Sequence, residues 1–257
     1  MRLPRLPPAN RDKTVDRQTV PAYTLRTSAR ARRVQLRVLP QGTVEAVVPR
    51  GVDPRAVDAF VARHRQWIAK RLARIDEQRQ SRPHLFEHPP RRVRLRALGQ
   101  EWAVEYAWMN QAAPGPTRPG ASQRSGGVLG VRAADADAAR ALLQRWLMRQ
   151  AKEHLVPWLQ RTAGEFGLEV GRVSVRAQKS RWGSCSARGN ISLNRNLLFL
   201  PPEGVRYLFV HELCHTRHMN HSRRFWSLVA RLDPHFERHE ALLRRSHDYV
   251  PLWALPD

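Results

Sequence analysis

Residues 210 to 226 read Val-His-Glu-Leu-Cys-His-Thr-Arg-His-Met-Asn-His-Ser-Arg-Arg-Phe-Trp. On an α-helix each residue turns about 100° and rises about 1.5 Å. His215 therefore lies one turn above His211, rotated by only about 40°, and both imidazoles can reach one ion from the same face. Glu212 is offset by about 100° from His211, at the rim of that face. From there a carboxylate meets an activated water more easily than it joins the histidines as a ligand. A catalytic zinc takes three protein ligands and keeps a fourth position open. The stretch predicts a helix with a bound divalent ion, zinc first, and Glu212 as general base. Histidine sites accept other divalent metals as well.

His221 is the candidate third ligand. It lies ten residues after His211, as in the longer zinc-protease pattern. That pattern has a glycine where this chain has His218, and Asn220, tolerant of left-handed backbone angles, is the residue able to turn the chain. The alternative for His221 is a polar cap on the next helix. His218 reads as a surface residue near the ligands, and as a lesser candidate for contact with substrate or metal. Cys214 falls about 60° from His211 on the helical wheel but reads as a small buried apolar side chain. With Cys185 it makes two cysteines in all, too few for a disulfide scaffold, and both are expected to be reduced.

Working outward, Pro201, Pro202 and Glu203 read as a helix start, and Tyr207 to Val210 as an apolar run into the histidines. Val173–Arg176, Ser180–Ser186 and Ile191–Asn194 read as short strands, with Gly189-Asn190 at a turn. A helix is expected from Ser222 to about Leu232, and a last one over 236–246. Upstream, Ala134 to about Phe166 has helical periodicity, with Pro157 kinking it or starting a second helix. Tyr23–Arg30, Val34–Leu39 and Thr43–Val48 alternate apolar with polar and read as antiparallel strands, with Gln41-Gly42 at a turn. Val57 to about Gln78 reads as one helix. Val93–Leu98, Trp102–Trp108 and Val128–Arg132 read as strands, and Gln111–Gly127 as a long flexible loop. Three parts are expected: a disordered basic tail over 1–20, a β-rich part with one helix over 21–132, and the metal-bearing part over 133–257.

Three pieces carry a family resemblance: Lys179-Ser-Arg-Trp-Gly-Ser-Cys-Ser186, Gly189-Asn-Ile-Ser-Leu-Asn-Arg-Asn-Leu198, and His211 to Trp226. With weaker echoes over Leu25–Val48 and up to Trp67, the chain resembles the YgjP-like metallopeptidase family over roughly residues 22–249. That family is related to the SprT-like and zincin proteins. The resemblance implies an α+β, zincin-like hydrolase in one continuous domain, with His211, His215 and His221 on zinc and Glu212 as base. It also implies a small antiparallel sheet beside the metal helix, whose edge strand can pair with an extended peptide. It does not imply a substrate, since some members carry the name of metal-dependent UTP pyrophosphatase.

Candidate substrate contacts follow. Arg181 and Lys179 could hold an anionic group or a developing oxyanion, and Trp182 either lines the cleft or anchors the core. Ser184 has no histidine–acid pair beside it in the sequence and does not read as a nucleophile. Phe225 and Trp226 read as packing residues, and Tyr249 as a distant hydrogen-bonding candidate.

Charge bounds the partners. The net charge is +23, and of 45 basic residues only Lys13, Lys70, Lys152 and Lys179 are lysines. Such a chain attracts polyanions, with an affinity that falls with salt. Peptide hydrolysis is the leading reading. Nucleoside triphosphate pyrophosphohydrolysis is the rival, weakened by the lack of a glycine-rich phosphate loop. A nucleic-acid-associated protein with a structural metal is the second rival, and Glu212 is hard to explain there. No run of about 18 apolar residues occurs, so no membrane span is expected. Met1–Gln18 lacks the apolar core of a secretory signal, which makes the cytoplasm the expected compartment.

Overall fold

The computed structural model describes residues 20–109, 120–124, 127–245 and 248–256. The expected basic tail lies outside the described residues, apart from Val20. The chain divides into two compact units, residues 1–82 and 83–257.

In the first unit, β1 (Thr24–Thr27), β2 (Gln35–Val38) and β3 (Val44–Val48) form a sheet in the order β1-β3-β2. The β2–β3 pair is antiparallel, as alternation and the Gln41-Gly42 turn predict. β1 instead runs parallel to β3. The connection from β1 passes over β3 to β2, so the first strand lies on the far side of the central one and shares its direction. Val44, Ala46 and Val48 form the buried face and pack against Val57, Val61 and Ile68. Those three come from two helices, α1 (Pro54–Arg63) and α2 (Arg65–Ser81), where one was expected. Asp53 caps α1 by accepting the Arg55 N–H at 2.9 Å, with Pro54 in the first turn. The break falls at His64, whose ring nitrogen Nδ1 lies 2.7 Å from the Phe60 carbonyl oxygen.

The second unit begins with β4 (Arg92–Leu95), β5 (Gln100–Trp108), β6 (Gly120–Arg124) and β7 (Val128–Ala133), ordered β4-β5-β7-β6. β6 occupies part of the segment read as a loop, and pairs antiparallel with β7. Leu129, Val131 and Ala133 of β7 enter the same core as Leu143, Trp146 and Leu147 of α3 (Ala136–Glu165). These strands bury their apolar face on the helix that follows them, and both lie in the unit of residues 83–257. Asp135 caps α3 through the Ala138 N–H at 2.8 Å. The helix runs unbroken through Pro157, with Leu155, Leu159 and Ala163 holding both sides of the proline in the core.

After α3 comes the sheet that frames the site. β8 (Val173–Arg176), β9 (Gly183–Cys185) and β10 (Ile191–Asn194) take the order β8-β10-β9. β9 and β10 are antiparallel, as expected, while β8 joins β10 in parallel, so the sheet is mixed. Then come α4 (Pro202–Cys214), α5 (Arg223–Leu232) and α6 (Phe236–Arg244). α4 is apolar nearly all round, as a helix buried on both sides must be. Val205, Leu208, Phe209 and Leu213 enter the large core, while Tyr207, Val210 and Cys214 pack with Phe225 and Val229 of α5. The architecture is α+β, and no helix among the described residues is long and apolar enough to cross a membrane.

Candidate metal centre

α4 ends where the metal pattern ends. His211 and Glu212 lie in its last turn and His215 forms its C-cap, still near α-helical angles at φ −65° and ψ −18°. The His215 N–H bonds the His211 carbonyl at 3.3 Å, so the two rings keep their one-turn relation. Bonds from the Thr216, Arg217 and His218 N–H groups back to Leu213 and Cys214 then fold the chain over. This turn returns His221 to the first two histidines just before α5 begins. One ligand nitrogen from each of His211, His215 and His221 lies within 4.8 Å of the others.

The rings are held on several sides. His215 Nδ1 lies 3.1 Å from the His218 carbonyl oxygen, which leaves Nε2 facing the centre. Phe225 is fully buried and touches all three: its ring centroid is 4.5 Å from His215, 4.8 Å from His221 and 5.0 Å from His211. Trp226 stacks on His221 at 5.7 Å. Burial pushes the His211 pKa down to about 4, with His215 and His221 adding to the effect. Burial also lowers His215, partly opposed by its bond to His218 and reinforced by His221. Both are neutral near pH 7, the state in which imidazole binds a metal.

Glu212 is 5% exposed. A Cβ placed on Gly183 of β9 would lie 2.6 Å from Glu212 Oε1, so the carboxylate is pressed onto the backbone of the neighbouring strand. Its other oxygen, Oε2, is buried with no hydrogen-bond partner among the described residues. Burial raises the carboxyl pKa to about 7, and the Arg181 guanidinium partly opposes the rise.

These residues fit a divalent ion. His211 Nε2 and His221 Nε2 stand 3.1 Å apart, close to the roughly 3.3 Å between two nitrogens on one tetrahedral zinc at about 2.05 Å. An unpartnered buried carboxylate oxygen is costly unless something meets it, and Glu212 follows directly on His211, one of the three clustered nitrogen donors.

The other candidates divide. Trp182 is half-buried against the large core, and its carbonyl accepts the Asn194 N–H at 2.9 Å. Lys179 and Arg181 are exposed in the β8–β9 connection and line a groove with Ser184. His218 contributes its carbonyl to the site, and the residue also lines a basic cavity with Arg217 and Arg224. Tyr249 stacks under Arg96 at 5.4 Å, in a cavity lined by none of the three clustered histidines. Cys214 is free and fully buried, with burial raising its pKa to about 12, and Cys185 is free with its own raised to about 11. Sequence reasoning gave Phe225 to packing alone and missed Gly183. The available signals were the position of Phe225 one helical turn past His221, and a lone glycine inside a short strand.

A helix end that gathers three imidazoles beside a buried carboxylate, within an α+β core, has the makings of a metal-dependent hydrolase. The sequence model of the YgjP-like metallopeptidase domain matches residues 32–246, and the chain belongs to that family. The family carries a zincin-like metallopeptidase domain and depends on a metal ion. The crystal structure of the metallopeptidase zymogen of Pyrococcus abyssi abylysin is similar at 27% identity, covering 35% of this chain and 90% of that one, with a TM-score of 0.32. No curated protein matches the chain.

Proposed function

We propose that the protein is a zinc-dependent peptidase in which His211, His215 and His221 hold the ion and Glu212 is the general base. The observation that carries this reading is the buried Glu212 carboxylate, with Oε2 unpartnered beside three converging imidazoles. When bound, zinc acts as a Lewis acid that polarises a carbonyl and makes water nucleophilic at neutral pH. Glu212 Oε2 accepts the proton of the attacking water and passes it to the departing amine. Its raised pKa, about 7, suits a group that must both take and return a proton near neutrality. The Gly183 backbone fixes the carboxylate's position, and the His218 carbonyl fixes the His215 ring.

The substrate would lie along β9. β10 is paired on both sides, whereas β9 is at the sheet edge. Its free side offers main-chain groups to an extended peptide, with Arg181 and Lys179 near the same edge for an anionic group. Zinc, the ligand roles and the peptide substrate are tested together. Protein purified without a metal-affinity tag is expected to carry about one zinc per chain, absent from His215→Ala, and to cleave peptides. Glu212→Gln is expected to keep the zinc and lose the activity. Release of pyrophosphate from nucleoside triphosphates with no peptide cleavage would overturn the reading.

A further inference from the structure

The mixed sheet has a second face. In strands, alternate residues share a side. Gly183 and Cys185 of β9, Ile191 and Leu193 of β10, and Val173 and Val175 of β8 are turned to the core and α4, which leaves the intervening residues facing outward. Register places Ser174 beside Ser192 and Ser192 beside Ser184. A row of small hydroxyls thus crosses all three strands.

Cations flank this row. Arg172 and Arg176 share the outer face of β8 with Ser174, Lys179 and Arg181 rise from the β8–β9 connection, and Lys152 reaches in from α3. Together they line an open groove of about 1200 Å³ that has no carboxylate and no aromatic side chain among its described lining residues. All five are exposed, and none forms a salt bridge among the described residues. Five positive charges around a hydroxyl floor, with no salt bridge among the described residues, repel one another until an anion neutralises them. They do so next to the catalytic centre: Arg181 acts on Glu212 from this groove, and Ser184 adjoins the glycine that Glu212 touches.

The shape selects among anions. Three strands about 4.8 Å apart leave roughly 10 Å between β8 and β9, room for one extended chain and too narrow a trough to seat a double helix. Single-stranded nucleic acid is usually held by stacking its bases on aromatic side chains, and the groove has none. Carboxylates on an extended polypeptide meet guanidinium forks and hydroxyl donors without stacking. We propose that this groove is an exosite that captures an acidic segment of the polypeptide substrate and holds it beside the β9 edge. The proposal rests on the peptidase reading above.

The test uses the full zinc-loaded chain and two quenched-fluorescent peptides with one common cleavable core. One carries an appended run of glutamates, the other the same run as glutamines. The glutamate peptide is expected to show a KM about 10-fold lower at low salt, with the two converging toward 1 M salt. Arg172→Glu/Arg176→Glu is expected to abolish the difference, and the milder Arg172→Gln/Arg176→Gln to reduce it. Lys70→Glu/Arg74→Glu on α2, with an equal change in net charge, is expected to preserve it. Equal KM values in the unaltered chain overturn the proposal, as does a preference that the α2 reversal removes just as well. A groove reversal that releases a single-stranded oligonucleotide but leaves the KM ratio intact overturns it in favour of nucleic acid. Cleavage of neither peptide sinks the peptidase reading and the exosite with it. Cleavage of both without preference sinks the exosite alone.

Discussion

The Cα of Gly183 is packed against the Glu212 carboxylate so closely that a Cβ there would stand 2.6 Å from Oε1 and 2.9 Å from both Cγ and Cδ. The strand and the metal helix therefore meet at the one group proposed to move protons. A side chain at position 183 cannot be admitted unless that group shifts. Gly183→Ala is expected to lower kcat/KM about 100-fold, the scale at which a displacement near 1 Å acts on catalysis. Zinc content, measured by mass spectrometry, should stay at the level of the unaltered chain, because no histidine is disturbed. Loss of zinc together with activity would place the glycine's role in folding instead.

Phe225 joins the rings of all three candidate ligands to the small core between α4 and α5. Phe225→Ala is expected to cost about 3–5 kcal/mol of stability, as for other buried phenylalanines. Zinc affinity, read by competition with a chelating dye, should also fall by about 10- to 100-fold, the range for groups that orient ligands. A stability loss with unchanged zinc affinity would show that Phe225 only packs.

Metal removal should act on the fold, because the candidate ligands come from α4 and from the turn leading into α5. An ion that binds only the native state adds about 4 kcal/mol when present at 1,000 times its Kd. Chelator-treated protein is expected to unfold at a lower temperature and to recover on zinc addition. His215→Ala should show no difference between the two conditions. A zinc-induced rise that survives in His215→Ala would argue for binding elsewhere.

Glu212 also makes the metal-free protein sensitive to pH. Burial raises the folded carboxyl from 4.5 to about 7, so the folded chain binds this proton more tightly than the unfolded chain does. The resulting stability is fully present below about pH 4.5 and is lost as pH rises through about 7. Glutamine does not titrate. The unfolding free energy of metal-free Glu212→Gln minus that of the unaltered chain should therefore grow by roughly 2 to 3 kcal/mol between pH 5 and pH 8. The histidines titrate in both chains and cancel in the comparison. A difference that stays flat with pH would mean that the carboxylate is ionised at no cost in the folded protein.

Much of the local architecture was legible in the residues. Pro201-Pro202 marks the start of the helix that carries His211, and β10 spans Ile191–Asn194 as its alternation predicts. Other features were not. Nothing local to Tyr23–Arg30 says that β1 runs parallel to β3, since direction depends on where the connection crosses. Leu129, Val131 and Ala133 of β7 share a core with Leu143, Trp146 and Leu147 of α3, a pairing that no local alternation names. Pro157 reads as a break, yet core contacts on both sides carry α3 through it.

By itself the sequence determined the spacing of His211, Glu212 and His215, because helix geometry converts a four-residue interval into one face. It also determined the positive charge and the family to which the chain belongs. Only the tertiary structure decided that His221 folds back to the other two histidines, that Gly183 lies against Glu212, and that Phe225 lies among the three rings. It alone decided that five cations flank one row of serines on the outer sheet face. These relations join residues far apart in the chain. They arise when α4 is buried between two cores, a packing that local periodicity cannot express.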